Sequence, residues 1–144
     1  MNPFGANRPW LQRATAILGN GTNSTATNVL NAAETIYLAG LTFTNGAAYV
    51  ITGNTGRLVF PAFATNFASR DAEIQARVSG SGFVKSGPAR LWLNPVTGAN
   101  DYTGAITVVE GTLLVGGTTG DGTIRGDLVA NPGATIRLTA ANPI

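Results

Sequence analysis

Cysteine and histidine are both missing from these 144 residues. No disulfide framework and no Cys/His zinc site can form, and the commonest general base of enzymes is unavailable. Charge is scarce as well. Only 11% of residues are charged, against roughly 25% in ordinary soluble domains. The basic residues are eight arginines and one lysine, Lys85, set singly along the chain, with a formal net charge of +2. That pattern predicts no nucleic-acid footprint. No apolar run approaches the roughly 18 residues that cross a bilayer, so no membrane span is expected. Between Met1 and Gly19, Arg8, Pro9 and Arg13 interrupt the place where a secretory segment would be continuously apolar. No signal peptide is expected within this chain.

What is present is apolar, small and turn-prone. Hydrophobic residues make up 44%, and there are nineteen glycines. This suits one compact domain with many tight turns. Helical periodicity shows only in RPWLQRATAILG, where Trp10, Leu11, Ala14, Ile17 and Leu18 have helix-like spacing up to Gly19. An irregular or extended N-terminal arm fits the same residues.

A five-residue word recurs: ETIYL at Glu34, GRLVF at Gly56, ARLWL at Ala89, GTLLV at Gly111 and ATIRL at Ala134. The starts lie 22, 33, 22 and 23 residues apart, and a weaker copy, AEIQA at Ala72, divides the long interval. Within each word the apolar residues alternate. Ile36 and Leu38, Leu58 and Phe60, Leu91 and Leu93, Leu113 and Val115, and Ile136 and Leu138 share one side. Tyr37, Val59, Trp92, Leu114 and Arg137 take the other. This is the period of a half-buried strand. Further alternating runs begin at Leu41, Tyr49, Ala105 and Thr123. Short strands repeating at about 20 residues predict an all-β solenoid of about five coils, stacked at about 4.8 Å and sharing one core. A sandwich of ordinary hairpins is the alternative. Residues 1–28 lack the word and read as an N-terminal arm or cap, with 29–144 as the repeat domain. FPAFATNF, where the spacing breaks, reads as an extruded loop. Phe60, Phe63, Phe67, Phe83 and Trp92 are expected to gather around it.

The stretch from Gly80 to Gly117 resembles the autotransporter-associated β-strand repeat. The positions that carry the likeness are Gly80, Ser81, Gly82, Val84, Lys85, Gly87, Leu91, Leu93, Asn100, Tyr102, Gly104, Thr107, Val109, Gly111, Thr112, Leu113, Val115 and Gly116. Similar flanks extend the resemblance over roughly 28–141. Pro88-Ala89-Arg90 and the long NPVTG turn depart from the pattern, and the transmembrane barrel of autotransporters has no counterpart here. The resemblance implies a right-handed parallel β-helix on a bacterial surface or outside the cell, serving as stalk or scaffold. It implies structural uses for Lys85, Asn100 and Tyr102, an asparagine bonding neighbouring backbone in a turn and a tyrosine covering a corner.

Other constellations are weaker. Of the seven acids, only Asp71 with Glu73 and Asp121 with Asp127 lie close in sequence. Glycoside hydrolysis needs two carboxylates across a bond, so these read as solvated surface acids. GGTTGDGTI from Gly116 lacks the spacing and tandem copies of a calcium-binding β-roll. Arg125-Gly126-Asp127 spells an integrin tripeptide but falls in an alternating run. Gly80-Ser81-Gly82 with Lys85 completes no nucleotide motif. Asn20 and Asn23 head glycosylation-type triplets in a Thr/Asn-rich stretch. The expectation is a structural protein, not an enzyme, with no cofactor and no metal. Its expected partner is itself, through open strand edges. Phe4, Trp10, Leu11, Ile17 and Leu18 at one end and Ile136 and Leu138 at the other are the assembly candidates. A monomeric stalk or adhesin piece and a polysaccharide-acting β-helix enzyme are the alternatives.

Overall fold

The computed structural model describes residues 12–19, 25–30, 33–44, 48–53, 55–116 and 126–139. Among them are fourteen strands and no helix. The first coil holds β1 (Ala14–Leu18) and β2 (Ala26–Leu30), and the second β3 (Thr35–Phe43) and β4 (Tyr49–Gly53). The third holds β5 (Arg57–Phe60), β6 (Thr65–Ala68) and β7 (Ala72–Ile74), and the fourth β8 (Arg77–Gly80), β9 (Phe83–Ser86) and β10 (Arg90–Leu93). Then come β11 (Ile106–Val108) with β12 (Thr112–Val115), and β13 (Leu128–Ala130) with β14 (Thr135–Leu138).

All the strand pairs are parallel, and they build three faces. The first face runs β1-β3-β6-β9-β11-β13. The second runs β2-β4-β7-β10-β12-β14. A shorter third face joins the first half of β3 to β5 and β8. It continues where Asp101 and Thr103 donate their backbone N–H to the carbonyls of Val78 and Gly80, each at 2.9 Å. The chain is therefore a parallel β-solenoid. Six layers of strands put about five turns between its two ends.

Alternation decides what is inside. In β5, β7, β10, β11 and β12 the apolar residues of one parity are buried and their neighbours are not. Like residues then stack coil on coil. Tyr49, Ala72, Leu91, Leu113 and Ile136 form one column of the second face, and Ile51, Ile74, Leu93, Val115 and Leu138 the next. Such columns bury apolar area that no single coil could cover.

The structure revises several details of the sequence reading. Ala14–Leu18 is a strand, not a turn of helix. It and β2 pair into the stack, so the solenoid begins inside the segment set apart as arm or cap. The recurring words lie on two faces. ETIYL and GRLVF fall in β3 and β5 of the third, and the last three in β10, β12 and β14 of the second. The 33-residue interval is one coil plus a change of face. No loop is extruded at FPAFATNF, since β5 and β6 are joined by Pro61–Ala64 alone. The coil there is merely short, with Thr65 pairing Val84 and Ala72 pairing Leu91. The five aromatic residues gather only in part, with Phe63 and Phe83 lining one pocket. Phe60 and Phe83 touch in the core, with ring centroids 5.4 Å apart. Phe63 and Phe67 are exposed, and Trp92 lies on the second face, where its Nε1–H donates to the Gly116 carbonyl at 3.2 Å.

Candidate functional site

The most unusual chemistry in the molecule sits at a corner. Lys85 shares the parity of Phe83 in β9, so the strand turns it inward. It is fully buried, and it is the only charged side chain so placed among the described residues. Desolvating an ammonium is costly unless its protons are taken. Here Nζ donates to four backbone carbonyls: Gly87 at 2.5 Å, Ala89 at 2.7 Å, Glu110 at 2.9 Å and Ser86 at 3.2 Å. Ser86 closes β9, Gly87 and Ala89 belong to the turn between β9 and β10, and Glu110 to the corner stacked on it in the next coil. Burial pulls the amine down to about 8, while the carboxylates of Glu110 and Asp71 pull it upward.

Two asparagines do related work. Asn66, beside Lys85 in the ladder, accepts the Leu41 N–H at 3.0 Å. Asn100 accepts the Val78 N–H at 2.8 Å. Each side-chain oxygen satisfies a backbone donor of the adjacent coil in the buried interior. Tyr102 is fully buried, and its hydroxyl has no hydrogen-bond partner among the described residues. Burial pushes its phenol well above the usual range.

The remaining motif residues frame this corner. Gly80, Gly82, Gly87 and Gly111 have positive φ at turns. At Gly82 (φ 88) a Cβ would also collide with the Ala105 carbonyl of the next coil. Gly104 lies against Ser81 in the same stack. Leu91, Leu93, Leu113 and Val115 are buried, and Thr112 is half-buried on the outer side of β12. The motif thus runs from the end of β8 to the end of β12, more than one full coil. Asn66 lies outside it, but its parity with buried Ala64 and Ala68 was a usable signal.

Three of the described acids are engaged with neighbouring side chains. Asp71 bonds Arg90 at 3.1 Å. Glu73 accepts from Asn94 at 2.6 Å and Gln75 at 2.8 Å. Asp101 faces Arg77 at 3.4 Å and Arg57 at 3.9 Å. Among the described residues no three His, Cys, Asp or Glu side chains gather to hold a metal, and no helix is long and apolar enough to cross a membrane. Asp121, Arg125, Asn20 and Asn23 lie outside the described residues, as do Phe4, Trp10 and Leu11 of the assembly set. The rest of that set is split between the two ends. Ile17 is exposed and Leu18 half-buried in β1, and Ile136 is half-buried in β14. Leu138 points inward above Val115 yet is 42% exposed.

Compared with known proteins, the chain matches no family model, no curated protein and no solved structure.

Proposed function

We propose that this chain is a structural β-solenoid that lengthens by strand addition at its ends, copy upon copy, into a fibre or scaffold. The observation that carries this reading is the last described coil. Among the described residues β13 and β14 are each paired on one side only, and the inward column there ends on Leu138, left partly open. An open parallel edge over an apolar cross-section is a template for another chain. A head-to-tail contact of this kind does not close on itself, so it propagates. Placement on a bacterial surface or outside the cell rests on the repeat resemblance at Gly80–Gly116.

The test is negative-stain microscopy with sedimentation on the full chain and on Leu138→Lys, which sets a charge in the open cross-section. Filaments or a ladder of oligomers that Leu138→Lys abolishes are expected. Monomers in both cases would overturn the reading in favour of a monomeric stalk.

A further inference from the structure

Charge is distributed unevenly over the three faces. The third carries Arg57, Arg77 and Asp101, and the second Asp71, Glu73, Arg90 and Arg137. The first face has six strands, and the only charged residue within them is Lys85, which points inward. Its outward side chains are threonine, serine, valine, isoleucine and phenylalanine, among them Ile17, Phe67 and Val129, all exposed. The nearest charges stand at the rim, where Arg13 precedes β1 and Asp127 precedes β13.

At the same rim stands Phe63. It is 90% exposed and has φ 65, the left-handed region that bulky residues avoid. Exposure and a left-handed backbone are both unfavourable for a bulky apolar residue in the isolated molecule. Phe63 is itself one wall of a pocket of about 250 Å³, whose other walls include Ser81, Phe83, Val84, Ala105 and Thr107. A cavity of roughly 150 Å³ is enough for benzene, so a phenyl ring fits.

We propose that the first face is a lateral docking surface for a second copy of this chain, with Phe63 of each copy entering the pocket of the other. Knob and hole lie on one patch, which is what a two-fold, self-complementary interface requires. Two uncharged sheet faces can pack at about 10 Å without burying an ion. A polyanion such as nucleic acid would find no exposed cation within the strands of this face. Six strands at about 4.8 Å, each about four residues long, give a footprint of roughly 400 Å² per copy. That is half of the roughly 800 Å² typical of stable complexes, so the dimer is weak and reversible. It would strengthen by repetition wherever several copies are already joined.

Sedimentation equilibrium from micromolar to millimolar concentration tests this, in a Leu138→Lys background so that end contacts do not contribute. A monomer–dimer equilibrium is expected. Phe63→Gly should weaken it by at least about ten-fold, with the thermal midpoint unchanged or raised because glycine accepts the left-handed backbone. Thr107→Arg on the first face should abolish it, and Thr52→Arg on the second should not. Absence of a dimer at millimolar concentration, or a dimer indifferent to both Phe63→Gly and Thr107→Arg, would overturn the proposal.

Discussion

Lys85 is the chain's single lysine, which makes its burial easy to read. Amine-reactive reagents should label the native protein at the N-terminus alone, and Lys85 only after denaturation, as peptide mass analysis would report. Lys85→Met leaves four carbonyls without their donor and should lower stability by about 3 kcal/mol at neutral pH, measured by chemical denaturation. The pH dependence has a definite shape. The amine sits at about 8 when folded and 10.5 when unfolded. Between those values the unfolded chain holds more protons, so stability rises with pH there. Tyr102 acts in the opposite sense. Its folded phenol is raised above the ordinary 10, so the stability it contributes is intact below 10 and is lost as pH climbs beyond. A maximum near pH 10 is expected. Lys85→Met should remove the rising limb and Tyr102→Phe should soften the falling one. At neutral pH Tyr102→Phe should be neutral or slightly stabilising, because the buried hydroxyl has no partner to lose. Gly82→Ala, by contrast, meets both the left-handed φ and the Ala105 carbonyl, and should cost about 2 kcal/mol or more.

At the scale of elements, alternation was legible because a strand has only two sides. The assignments of Leu58 and Phe60, Leu91 and Leu93, or Leu113 and Val115 to the interior hold in the structure. Which face a strand joins was not legible. β5 and β10 carry the same word, and period two separates inside from outside without distinguishing one wall from another. β3 shows the difficulty in a single element, since Thr35–Tyr37 pairs on the third face and Gly40–Phe43 on the first. The cage around Lys85 was half legible. Its parity with Phe83 pointed inward, but the carbonyls that receive it come from turn geometry and from a coil 25 residues away. Hydrogen exchange should follow the ladder. β7, β9 and β10 are paired on both sides and should be the slowest, while β1, β2, β13 and β14, each with one neighbour, should exchange first.

For the whole molecule, every coil contacts chiefly the coils above and below it, so stability is close to a sum of coil and interface contributions. Denaturation should begin at the ends and move inward. A variant that weakens the Lys85 corner should split the transition, releasing β11 to β14 before the earlier coils; strand-specific exchange at low denaturant would detect this. The same corner has a further consequence. A free ion held between carbonyls is governed by the surrounding medium: dilution empties the site, chelators strip it and competing salts replace it. The Lys85 ammonium is covalently tethered to β9, so its local concentration does not depend on the bath. A corner closed in this way keeps its cation in fresh water, in brine or in the presence of a chelator.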